Sequence, residues 1–260
     1  MSNEKRTVVV DRAETLFGMS TRRHFLRVLG VGGTIVFLPS VFTACDDSNN
    51  GTGPSTNTTY TLDLSNDTGI LNYAYALEQL EAAYYTAALA SPGFAALTSN
   101  EQEVLADLQK HEVIHREFFK TVLAGAAIPA INFNTATVGA LTATKSVLLS
   151  TSQLLEDTGV SAYNGAGKYL TSAANLLVAG KIVSVEARHA AAIRDIRDGT
   201  NGRLFAGDDV VNASGLDVKA EPSTVGAAVN SLNVILGSIA IGTQPDAGKK
   251  TADAPAPTPT

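Results

Sequence analysis

Leu105-Ala-Asp-Leu-Gln-Lys-His-Glu-Val-Ile-His-Arg-Glu-Phe-Phe119 places Leu105, Leu108 and Phe119 on one helical face, and Glu112 and His115 fall on that same face. The same pattern returns in Ile182-Val-Ser-Val-Glu-Ala-Arg-His-Ala-Ala-Ala-Ile193, where Glu186 and His189 interrupt a stripe of Ile182, Ile193 and Ile196. An unpaired carboxylate in such a seam costs several kcal/mol, about as much as a well-packed apolar side chain gains, so each needs compensating charge. Two further stripes repeat the anomaly. Leu71, Tyr75, Glu78, Ala82, Tyr85 and Leu89 form one, and Leu149, Glu156, Tyr163 and Leu170 recur at spacing seven along the other.

These stripes define four helices, over about Thr68 to Ala90, Ser99 to Leu123, Thr142 to Ala166 and Ser172 to Asp198. Pro92-Gly93 closes the first, since the residue before proline avoids helical geometry. Ser99 and Gln102 have capping-box spacing at the start of the second, and Gly199 ends the fourth. Short loops inside each pair make antiparallel neighbours, and the roughly eighteen residues between the second and third helices suffice to cross the bundle. The expected fold is all-α, a four-helix bundle with a long crossover between helices two and three. A fifth helix, about Thr224 to Ile239, is expected in a C-terminal extension over 200–241, and 202–222 shows no periodicity.

The spacings repeat between the halves. Glu78 to Glu156 is 78 residues; Glu112 to Glu186 and His115 to His189 are both 74; Tyr85 and Tyr163 each follow their glutamate by seven. One glutamate from each of two helices plus a Glu-x-x-His pair from each of the other two is the ligand set of di-iron carboxylate bundles. Carboxylates and neutral imidazoles suit two iron or manganese ions, and none of the four helices carries a cysteine to favour a structural zinc site. The expected ligands are Glu78, Glu112, His115, Glu156, Glu186 and His189. Glu112 and Glu186 are assigned as bridges, Glu78 and Glu156 as terminal or shifting ligands. Glu78 is preferred on the first helix because its tyrosine at seven matches the third, and Glu81 stays open in place of it or beside it, as a second ligand, a salt-bridge partner or a solvated residue. Tyr85 and Tyr163 are read as supporting hydrogen-bond donors, His111 as facing away from the metals, a surface or supporting residue, and Arg188 and Arg194 as surface partners of Asp195 and Asp198. Gly165 and Gly167 are read as loosening the end of the third helix.

The 260-residue chain has a net charge of −6, no Trp and one Cys. The acidic excess argues against a nucleic-acid backbone as partner. A single Cys excludes an intramolecular disulfide framework. Hydrolase chemistry has no Gly-x-Ser-x-Gly to support it. Ser20-Thr-Arg-Arg-His-Phe-Leu-Arg27 precedes an uncharged run, Val28 to Phe42, shorter than the roughly twenty residues a bilayer span needs. The paired Arg22 and Arg23 resemble a twin-arginine export signal, with that export machinery as the expected partner. Phe42-Thr-Ala-Cys45 resembles a lipobox, so 1–44 reads as a signal peptide and Cys45 as the lipidation site that anchors the protein to a membrane. The rest of the chain then carries 13 Lys and Arg against 22 Asp and Glu. Residues 45–66 read as a flexible linker, 67–199 as the bundle and 242–260 as a disordered tail.

Asn72-Tyr-Ala-Tyr-Ala-Leu-Glu-Gln-Leu-Glu-Ala-Ala-Tyr-Tyr85, His111-Glu-Val-Ile-His115, Leu155-Glu-Asp-Thr-Gly-Val-Ser-Ala-Tyr-Asn-Gly-Ala166 and Val185-Glu-Ala-Arg-His-Ala-Ala-Ala-Ile-Arg194 together resemble the ferritin-like domain family of exported bacterial proteins, which is related to the desiccation-related proteins. The resemblance implies a ferritin-like four-helix bundle and a di-metal site. The expected function is that of a lipid-anchored protein of the cell envelope, oxidising metal or another reductant with O2 or peroxide. The alternative is a non-catalytic envelope protein serving stress protection or protein interaction. A closed cage is not expected with an N-terminal anchor, whereas a homodimer is compatible with it.

Overall fold

The computed structural model describes residues 58–199 and 202–244. Residues 1–57, with Arg22, Arg23, Cys45 and most of the linker, lie outside the described residues, as do 245–260. The four long helices are α1 (Asp67–Leu89), α3 (Ser99–Leu123), α5 (Lys145–Ala166) and α6 (Ala173–Asp198). Between α1 and α3 lies the single turn α2 (Pro92–Ala95), started by Ser91 and by proline at its first position. α1 packs most extensively on α3, and α5 on α6, so the bundle consists of two helical pairs.

Each start has a side-chain cap. Asn66 accepts from the Gly69 N–H, Thr144 from Val147 and Ser172 from Asn175. The capping box of α3 is formed by Thr98 and Glu101, one residue earlier than Ser99 and Gln102. α5 also starts later than Thr142. The crossover folds into a 3-10 turn (Ala124–Ala126) and the short helix α4 (Thr135–Leu141), and Thr144 then caps the new helix. Asp67 ties the two pairs together at one end, accepting from the Thr171 and Ser172 N–H groups and from the Thr171 and Asn175 side chains.

Three expectations for the flanks are corrected. The expected fifth helix is shorter, α7 (Pro222–Ser231), and the chain then enters a strand, β2 (Gly237–Ile241). That strand pairs in parallel with β1 (Thr58–Leu62), which lies inside the segment expected to be a flexible linker. Tyr60, Leu62 and Leu64 are buried while Thr59, Thr61 and Asp63 are exposed, the period-two alternation of a half-buried strand. The pairing requires a glycine at its start, because Gly237 has φ +124° and a Cβ there would meet the Thr58 carbonyl at 1.9 Å. Pairing continues into the expected tail, where Leu64 N–H donates to the Thr243 carbonyl.

Arg194 is likewise no surface partner of Asp195 and Asp198. Its guanidinium makes a two-pronged contact with Asp157 on α5, at 2.8 Å each, and reaches Asp209 and the Leu204 carbonyl. With only 2% of its surface exposed, Arg194 pins the 202–210 segment to the bundle. Gly165 does not loosen α5 but admits this extension, since a Cβ there would lie 1.8 Å from the Ala220 carbonyl. Removing one partner from a buried charged contact leaves the others unpaired. Because Asp209 is largely solvated, Arg194→Leu is expected to lower stability by about 2 kcal/mol, read by urea unfolding. Limited proteolysis should then cut first within 202–210.

Candidate metal centre

Glu78 and Glu81 come from α1, Glu112 and His115 from α3, Glu156 from α5, and Glu186 and His189 from α6. Glu78, Glu112, Glu156 and Glu186 are fully buried, with His115 and His189 nearly so. The i, i+3 spacing on α3 and α6 aims carboxylate and imidazole at the same interior point.

Two groups of buried donors result. His115 Nδ1 lies 3.3 Å from Glu78 Oε2, 3.5 Å from Glu112 Oε2 and 2.9 Å from Glu186 Oε1. His189 Nδ1 lies 2.7 Å from Glu112 Oε1, 3.4 Å from Glu156 Oε2 and 4.0 Å from Glu186 Oε2. Each group could hold a metal ion, and Glu112 and Glu186 belong to both. One oxygen of each shared carboxylate faces either group.

The remaining oxygens are occupied from across the bundle. Tyr85 O–H donates to Glu156 Oε1 at 2.6 Å, and Tyr163 O–H donates to Glu78 Oε1. Each tyrosine therefore serves the glutamate of the other half. What is left is a complementary set: Glu78 Oε2, both oxygens of Glu112 and Glu186, Glu156 Oε2, and the two Nδ1 atoms, all buried and none in hydrogen-bond geometry. Buried polar groups are ordinarily satisfied, so eight orphaned atoms converging in two fours call for a cation. Their separations also fit. Donors about 2.1 Å from an octahedral ion lie roughly 3 Å from their neighbours in the shell.

Electrostatics give the same result. Burial lifts Glu78 to about 7, although the neighbouring His115 opposes this. Burial and the surrounding carboxylates hold Glu81 and Glu186 well above the usual range, and burial raises Glu156 as well. Glu112 goes the other way: burial opposes its ionisation, but His115 and His189 together pull it down to about 2. Against the effect of their own burial, the carboxylates raise His115 and lift His189 to about 10. Without metal the cluster is neutralised by protons, which a cation must displace.

Glu81 is buried but outside both groups. Gly159 makes room beside it, since a Cβ there would lie 3.0 Å from Glu81 Oε1 and 3.4 Å from Glu186 Oε2. The structure thus brings Glu78 into the cluster and leaves Glu81 adjacent to it. His111 is at the surface and also in contact with the site, its Nδ1 2.9 Å from His189 Nε2.

The model of the ferritin-like domain family matches residues 66–198, the segment that carries all of these side chains. The chain belongs to the ferritin-like domain family. No curated protein gives a significant match. Within this ferritin-like domain, spacing alone brought together the two Glu-x-x-His pairs and the two remaining glutamates. It did not reveal the contact between His111 and His189, because the two residues lie 78 apart on different helices and no local pattern marks it.

Proposed function

We propose that this chain is an exported, lipid-anchored ferritin-like protein whose buried cluster holds two iron or manganese ions and oxidises metal or a small reductant with O2 or peroxide. The observation that carries this reading is the set of eight orphaned donor atoms, divided four and four and sharing Glu112 and Glu186. When bound, such ions supply the redox electrons that a protein of these residues lacks.

The chain's own groups do the rest. Glu112 and Glu186 would be shared by the two ions, Glu78 and Glu156 would each offer one oxygen, and His115 and His189 would each present Nδ1. Tyr85 and Tyr163 fix the terminal carboxylates by holding their second oxygen, which leaves the first aimed inward. Phe119, Leu105, Leu108 and Ile193 are buried along the same helices, so bulk water is kept from the centre. The four donors in each group would leave room on a bound ion for an oxidant. Export and anchoring rest on Arg22, Arg23 and the single Cys45 behind an uncharged run too short to span a bilayer.

Elemental analysis after anaerobic reconstitution with iron(II) or manganese(II) should find about two ions per chain, as a shared pair of bridges requires. Fewer than about one would overturn the assignment. Oxygen uptake by the iron-loaded protein tests turnover, and two ions without uptake would leave a metallated but non-catalytic envelope protein. Feeding cells a labelled fatty acid should mark the wild type and spare Cys45→Ser.

A further inference from the structure

The two halves repeat most features of the centre, but His111 has no counterpart. His111, one residue before Glu112 on α3, has Nδ1 2.9 Å from Nε2 of His189, with the ring planes within 6° and the centroids 5.1 Å apart. So short a nitrogen contact gives that centroid separation only when the rings lie edge to edge in nearly one plane. This is the geometry of an N–H···N hydrogen bond. The 74-residue offset that carries Glu112 onto Glu186 and His115 onto His189 carries His111 onto Val185. Valine has no acceptor.

We propose that His111 is a positioning residue that makes the two cation positions unequal, so that the one completed by His189 fills first and more tightly than the one completed by His115. The inference rests on the two-ion reading above. To offer Nδ1 as a ligand, His189 must be neutral with its remaining proton on Nε2. His111 Nδ1 accepts that proton's hydrogen bond, with its own proton on the outward Nε2. The contact selects the ligating tautomer, fixes the ring and makes its Nδ1 more basic. The residue of α6 that corresponds to His111 is Val185, whose side chain can offer His115 no such hydrogen bond.

The test is an anaerobic calorimetric titration of the full metal-free chain with cobalt(II). Wild type should bind in two resolved steps. His111→Leu should weaken the tighter step about 10- to 100-fold, the usual effect of losing a hydrogen-bond partner behind a ligand, and leave the other within about 3-fold. His111→Asn puts an acceptor oxygen where Nδ1 stood and should restore most of the difference. Val185→His, which introduces the missing partner, should strengthen the weaker step, and it provides an independent test if His111→Leu fails to fold. In the cobalt-loaded protein the proton on His189 Nε2 should exchange slowly with solvent, and His111→Leu should speed that exchange. Two equal wild-type affinities, or His111→Leu leaving both steps unchanged or lowering both alike, would overturn the proposal. A wild type that binds no cobalt, iron or manganese would overturn the metal-centre reading itself.

Discussion

Glu186→Gln is expected to abolish metal-dependent stabilisation while leaving the chelated protein about as stable as wild type. Both halves of that expectation follow from the position of Glu186. Its two oxygens face different donor groups, so losing the carboxylate removes a ligand from both at once. In the metal-free protein, burial and the neighbouring Glu112 and Glu78 hold Glu186 well above the ordinary carboxylate range. That shift favours its neutral acid form, to which glutamine is a close match in size and charge. For the wild type, metal at a thousand times its dissociation constant contributes about 4 kcal/mol per site. In a domain of this size that raises the melting temperature by about 8–16 °C. The variant should show none of this rise. The competing view, that these side chains form ordinary buried ion pairs, makes the opposite prediction. Removing one partner of a buried pair costs about 3–5 kcal/mol with or without metal. Differential scanning calorimetry with and without a chelator separates the two, and Glu112→Ala combined with Glu186→Ala should retain no metal at all.

The site was legible in the sequence because it breaks a rule. Glu112, His115, Glu186 and His189 occupy positions where helical periodicity demands aliphatic residues, and such violations are visible without tertiary information. The choice between Glu78 and Glu81 was not visible in this way. Both are buried, on adjacent stripes of a helix enclosed on most of its circumference, and the sequence favours Glu78 only through the tyrosine seven residues on, whereas its distance to His115 and its hydrogen bond from Tyr163 separate it from Glu81 directly. Arg194 was misread for the same kind of reason. A helical arginine four residues before Asp198 has a plausible local partner, whereas its actual partners lie 37 residues back and 15 residues ahead. The strand pair was hidden more deeply. Thr58–Leu62 lies next to a polar, low-complexity stretch, and its partner is 179 residues away in register. A parallel pair leaves no hairpin turn as a local sign. The capping box shows a milder limit: Thr98 with Glu101 and Ser99 with Gln102 have the same spacing, and side-chain geometry decides between them.

Raising the pH should destabilise the metal-free protein and stabilise the metal-loaded one, so their melting temperatures diverge from about pH 5 upward. Consider first the chelated protein. Glu78 is raised from 4.5 to about 7 in the folded state, so the folded chain holds a proton that the unfolded chain has already released. The stability associated with that proton is complete below pH 4.5 and lost as pH climbs through 7. The displacement corresponds to about 3 kcal/mol, or roughly 6–12 °C in melting temperature. Glu81, Glu156 and Glu186 are shifted in the same direction and add to the fall. His189, lifted from 6.5 to about 10, continues it at higher pH. Among the carboxylates of the cluster only Glu112 has the opposite sign, as Asp67 does outside it; the stabilising contribution of Glu112 is complete above 4.5 and is lost as pH drops toward 2. In the loaded protein every ligand must be deprotonated, and metal binding expels the protons that the cluster otherwise retains. Affinity therefore rises with pH over the range in which the chelated protein weakens. Calorimetric scans at pH 5, 6.5 and 8, with chelator and with saturating manganese(II), should give the smallest separation at pH 5 and the largest at pH 8. Parallel curves would mean that the protons on these side chains and the bound metal do not compete for the same atoms, and the ligand assignment would fail with them.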